Sequence, residues 1–140
     1  MSESSALSAL LAAEHAAVYA YGVLGARLDD AARKTALGAF DAHRFRRADL
    51  LLRLQARGLP RPGPAASYAV TVTNRAQALA LAVRVENDLA VLWRDLVAAT
   101  DDPGLRRLGV QGLQDSAVRA TVWRRAAGVS PLTEPLPGQP

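Results

Sequence analysis

Apolar residues in this chain recur at helical spacing, and the clearest stripe runs through a carboxylate. Leu7, Leu11, Glu14, Val18, Tyr21, Gly25 and Leu28 advance by alternating fours and threes, the step of one buried helix face. Glu14 therefore points into a core, where an ionised group has to be matched by partners. Three more stripes follow. Glu86 lies among Leu79, Ala82, Leu89, Trp93 and Leu96; His43 lies between Phe40 and Leu50–Leu54; Asp115 lies between Leu108 and Val118–Val122.

The punctuation between stripes predicts helices over about residues 5–28, 31–57, 75–99 and 103–127. Ser4 or Ser5 caps the first and Asp30 the second, which stops at Gly58 with Pro60 behind it. Asn74 caps the third. Asp102 caps the fourth with Pro103 at its first position, and Gly128 ends it. The first and last links are too short for anything but antiparallel hairpins. The middle link, residues 58–74, is proline-rich through Pro64, then alternates like a strand from Tyr68 to Thr73 with no partner strand. Extended, it can span about 55 Å, more than the ~37 Å of a 25-residue helix. A crossover of full length makes the second and third helices parallel, the ferritin-like arrangement. The expected fold is all-α: a ferritin-like four-helix bundle over residues 1–128, followed by a Pro-rich tail over 129–140 in which Leu132 and Leu136 pack.

The two hairpins also repeat at an offset of 72 residues. Glu14 pairs with Glu86, His43 with Asp115, Arg47 with Arg119, Tyr21 with Trp93, and the cap Asp30 with Asp102. At 1.5 Å per residue, Glu14 lies about 21 Å and Glu86 about 20 Å before the ends of their helices, and His43 and Asp115 both about 18 Å after the starts of theirs. Four polar side chains, one per helix, are expected to meet at mid-height.

Composition narrows the chemistry. Half of the residues are hydrophobic, mostly Ala and Leu with few aromatics, which favours close helix packing. The absence of Cys removes disulfides, thiolate metal sites and a cysteine nucleophile. The net charge of +4 comes almost wholly from Arg, Lys34 being the only lysine. A basic second half of helix two (Arg44, Arg46, Arg47, Arg53, Arg57, with Arg61 beyond) raises binding of an anionic partner as a third function class, but no aromatic interleaving or motif points to nucleic acid. The start has no basic n-region, and Glu14 and His15 interrupt the apolar run behind it, so the expectation is a cytoplasmic protein with no membrane span. A homo-oligomer is compatible with the chain. Tyr19, Tyr21, Trp93 and Trp123 read as core or interface anchors, and His15, turned about 100° from Glu14, as a surface or crossover contact.

Inward Glu on helices one and three, with polar groups on two and four, resembles the layout of carboxylate-bridged di-metal proteins. Their pattern is Glu, Glu-x-x-His, Glu, Glu-x-x-His. Here helix two has Phe40-Asp41-Ala42-His43, with Phe in place of the Glu, and helix four has Asp115-Ser116-Ala117-Val118 with no His. Taking Asp115 as the His replacement leaves Gly112 at the Glu position. At most four of six ligands remain: Glu14, His43, Glu86 and Asp115, a mixed set suited to Fe, Mn or Zn, which would make a mononuclear or degenerate di-metal redox protein rather than a di-iron oxidase of the usual kind. The competing reading, and the one favoured here, is an internal ion network in which Arg47 and Arg119 offset the acids and no cofactor is expected.

The wording of Ala12–Gly22, His43–Arg47 and Ala78–Glu86 is similar to an actinobacterial ferritin-like family of unknown function (domain of unknown function 4439), over residues 5–127. The resemblance implies the bundle fold and, having no activity attached, implies no reaction.

Overall fold

The computed structural model describes residues 1–139 and contains four helices: α1 (Glu3–Gly25), α2 (Asp30–Ala56), α3 (Arg75–Ala99) and α4 (Pro103–Ala127). Both ends of α3 and of α4 fall where the caps predict. The Asn74 side chain accepts from Gln77 N, Asp102 from Gly104 N and Leu105 N, and Gly128 takes the left-handed conformation at φ 68°. The first hairpin differs by a few residues. Ser2, not Ser4 or Ser5, caps α1 in a reciprocal capping box with Ser5, and α1 stops at Gly25 because 3₁₀-type bonds close its last turn. Asp30 is not a cap. It is the first residue of α2 at φ 39°, while the Asp29 carbonyl accepts from Arg33 N.

One end of the molecule fixes the topology. Arg57, just past α2, donates to Asp102 at 2.9 Å and lies 3.7 Å from Glu3, whose other oxygen accepts from Thr100 Oγ1 at 2.6 Å. The end of α2, the start of α1 and the α3–α4 turn therefore share one end of the bundle. After the turn at Arg57–Gly58, residues 59–74 run the full length without regular structure, and α2 and α3 are parallel, as the loop lengths predict. His15 Nε2–H donates to the crossover at Pro62 O at 3.1 Å, and Tyr19 stacks obliquely on Tyr68.

Close backbone packing involves α3 with α4, α1 with α2, and α1 with α3. Two glycines make the α3–α4 approach tight. A Cβ at Gly112 would lie 2.3–2.7 Å from the Trp93 ring, and one at Gly109 2.6 Å from Val97. Between α2 and α4 the bridge is made by side chains: Arg46 lies over the Trp93 ring and donates to Asp115 at 2.6 Å. The apolar core forms two clusters. One holds Leu7, Leu10, Leu50, Leu54, Trp93, Leu96 and Leu105; the other holds Leu24, Leu28, Ala36, Leu79, Ala82 and Trp123. By length and mean hydropathy (1.3) α1 could cross a membrane, but its apolar face fills these clusters.

The tail does not pack through Leu132 and Leu136, which are 37% and 66% exposed. Polar contacts hold it instead: Arg94 Nη1 donates to Gly138 O and Arg124 Nη2 to Glu134, each at 2.5 Å. Gly138 sits at φ 85° against Ala90 O, which no side chain would tolerate without strain.

Two glycine-to-alanine variants should move stability in opposite directions. Gly112→Ala drives a methyl into the Trp93 ring and is expected to lose roughly 1–3 kcal/mol or more. Gly38→Ala, on α2 with nothing within 4 Å, should gain about 0.5–1 kcal/mol. Urea unfolding of both variants measures the pair.

Candidate functional site

The polar layer between the two apolar clusters is built around His43. On α2 it takes the inward position between Ala39 and Leu50 and is fully buried, as are Glu14 on α1 and Glu86 on α3. Its Nδ1 lies 2.7 Å from Glu14 Oε2 and its Nε2 3.0 Å from Glu86 Oε1. An ionised carboxylate only accepts, so both ring nitrogens donate and the ring is an imidazolium. Burial alone would lower the His43 pKa; hydrogen bonds to Glu14 and Glu86, then their charges, outweigh it and raise it from 6.5 to about 9.

Glu86 is the most heavily bonded member. Its Oε1 also accepts from Tyr21 OH at 2.5 Å and from Arg119 Nε at 3.0 Å. Burial pushes the Glu86 pKa up, but the bond and charge of His43, with Arg119 and Tyr21, override it and hold the carboxyl below its ordinary range. Tyr21 OH accepts from Trp123 Nε1 at 2.8 Å, and the Tyr21 ring stacks on His43. Burial, then the charge and hydrogen bond of Glu86, raise the Tyr21 pKa well above its usual value, so it stays neutral.

Three of the four residues expected at mid-height thus meet, and the fourth does not. Asp115 is half-exposed and paired with Arg46 outside the layer. The stripe assigned to α4 was the wrong one. Val118 and Val122 on it are 64% and 41% exposed, whereas the buried face runs Leu105, Leu108, Gly109, Gly112, Ser116, Ala120 and Trp123. Small residues on that face make room for Trp93, and Asp115 stands about 100° away from Ser116. Arg119 does join, reaching inward from the rim with its side chain 22% exposed. Arg47 makes no ion pair among the described residues; its neighbour Arg46 forms the cross-bundle bridge.

The layer therefore holds Glu14, Glu86, protonated His43 and Arg119, two charges of each sign. Among the described residues, no group of three or more His, Asp or Glu side chains is arranged to hold a metal ion. Both His43 ring nitrogens lie within hydrogen-bond distance of carboxylates. Two carboxylate atoms, Glu14 Oε1 and Glu86 Oε2, and Ser116 Oγ are sealed from solvent and without partners among the described residues.

The model of the family described as "Domain of unknown function (DUF4439)" matches residues 6–140. The chain belongs to that family. The crystal structure of a conserved hypothetical protein, rv2844, from Mycobacterium tuberculosis is similar to this member, with a TM-score of 0.85 and 38% identity over 89% of this chain and 96% of that one. No match was found among curated proteins. The family match takes in the tail as well as the bundle of this DUF4439 member.

Tyr21 and Trp123 were legible as core anchors but not as members of the ion layer. The signal lay in the phenol standing two turns beyond Glu14 on the same stripe, and its bond to Glu86 depends on the relative heights of α1 and α3.

The network fixes the sign of a pH effect. The folded-state pKa of His43 lies above the unfolded value, so its contribution is complete below pH 6.5 and is lost as pH rises through about 9. Urea unfolding near pH 6 and near pH 9.5 should differ by roughly 3 kcal/mol, and His43→Gln should flatten that difference. Glu86 acts at the other limit: its contribution is present above the ordinary carboxylate range and fades as pH falls through its lowered value.

Proposed function

We propose that the protein is a ferritin-like helical bundle that has exchanged di-metal chemistry for a proton-held ion layer, and that it works as a structural or interaction protein. The observation carrying this is His43, which satisfies two buried carboxylates at 2.7 and 3.0 Å through both ring nitrogens. A ligating imidazole keeps one nitrogen for the metal and gives the other to a hydrogen-bond acceptor; here both go to acceptors. An interaction role draws support from the apolar side chains that α2 leaves at the surface, Leu37, Phe45 and Leu52, each at least 60% exposed. The Arg-rich outer side of the same helix is the feature on which binding of an anionic partner would rest. A cytoplasmic location belongs to the same proposal.

A second reading, one divalent Fe, Mn or Zn ion held at the layer, is favoured by the unpartnered oxygens of Glu14 and Glu86. Metal analysis of natively purified protein separates the two. The ion-layer reading expects substoichiometric metal and a melting temperature indifferent to chelator. It also expects Glu14→Ala and His43→Ala to cost roughly 3–5 kcal/mol, because each leaves an uncompensated buried charge. Stoichiometric metal that disappears in both variants would overturn it.

A further inference from the structure

A cavity lies away from the ion layer, between α3, α4 and the tail. Its volume is about 730 Å³, within the range of small-molecule sites. Ala90 and Val91 line it from α3, Ala117 and Val118 from α4, and Pro135 and Leu136 from the tail. Into this mainly apolar cleft, whose rim also carries Asn87, Asp88 and Thr121, α4 places one guanidinium. The Arg124 side chain is only 8% exposed, and the one hydrogen bond it makes among the described residues is from Nη2 to Glu134 Oε1. A buried arginine needs an anion, yet Glu134 is half-exposed, sits on a segment without regular structure, and engages a single N–H of a fork built to hold a carboxylate by two.

We propose that this cleft is a binding site for a carboxylic acid with an apolar body, and that Glu134 stands in for the ligand's carboxylate on Arg124. The ligand's carboxylate takes the guanidinium fork, and its hydrocarbon lies along the Ala90–Val91 and Ala117–Val118 walls under Leu136. The tail remains attached at its far point, where Arg94 holds Gly138 O and Gly138 is seated on Ala90. Exchange therefore requires release of Glu134 alone. The site is independent of the ion layer, since none of its lining residues belongs to that layer.

Titration of the full chain with decanoate and with decan-1-ol, followed by backbone amide shifts, tests the site. Saturable decanoate binding with shifts confined to the α3–α4–tail cleft is expected, with decan-1-ol at least about tenfold weaker. Glu134→Gln removes the competing carboxylate and should tighten decanoate several-fold. Arg124→Gln should weaken it by about tenfold or more. Because Arg124 is buried, a second variant guards against misfolding: Val118→Glu places a negative charge at an exposed wall position and should weaken decanoate more than it weakens decan-1-ol. Absence of saturable decanoate binding to Glu134→Gln, equal affinity for acid and alcohol, or a Val118→Glu protein that binds decanoate as tightly as the parent would each overturn the assignment.

Discussion

One imidazolium held between two buried carboxylates is the contact on which the bundle's register depends. His43 ties α2 to α1 through Glu14 and to α3 through Glu86, and Arg119 brings α4 to the same Glu86 oxygen. Sliding any helix by one turn moves its charged group about 5.4 Å along the axis, far outside hydrogen-bond range, and strands a charge in a sealed interior. Apolar layers of Leu and Ala penalise such a slip much less, since one methyl packs nearly as well as the next. The two hydrophobic clusters supply bulk stability on either side of the layer, and the layer specifies which of the near-equivalent stackings is adopted.

The shape of α4 follows from a second constraint, the Trp93 indole. Gly109 and Gly112 give up their side chains so that the ring and the backbone of α3 can approach. An acid on that face would lie against the indole with nothing to satisfy it, and the face carries Ser116 in its place. Asp115 then serves on the outer rim, where it accepts from Arg46, and Arg46 in turn covers Trp93. The α2–α4 seam is closed by this arginine lid and by Arg119, while the other seams close by backbone proximity.

The fold was legible because its signals are local. Asn74, Asp102, Pro103 and Gly128 act within one turn of themselves, and α3 and α4 end where these residues place them. The length of the crossover alone decided between parallel and antiparallel α2 and α3. Glu14, His43 and Glu86 could be brought together on paper because each interrupts an unambiguous stripe of large apolar residues. The stripe of α4 is ambiguous for a physical reason: the middle of its buried face, Gly109, Gly112, Ser116 and Ala120, is made of small residues, and its outer face carries valines. Burial there is set by the bulk of a partner residue on α3, a quantity the α4 sequence does not contain. Arg46 and Arg47 pose a similar problem. Both flank His43 on a helix with arginine on every side, and only the position of Asp115 across the groove selects between them.

On the proposed ion-layer reading, Arg119 sets the charge balance of the layer. With His43 protonated, Glu14 and Glu86 are balanced by His43 and Arg119, and the sealed layer is neutral. Replacing the His43 proton by a divalent ion would leave one net positive charge in the interior, a state that burial penalises by several kcal/mol. Only a layer without the guanidinium would balance a divalent ion against two carboxylates. Arg119 reaches the layer from the α2–α4 cleft with part of its side chain in solvent, so it is the least enclosed charged member of the layer. The choice between a proton and a metal therefore rests less on the ligands than on whether this arginine stays in.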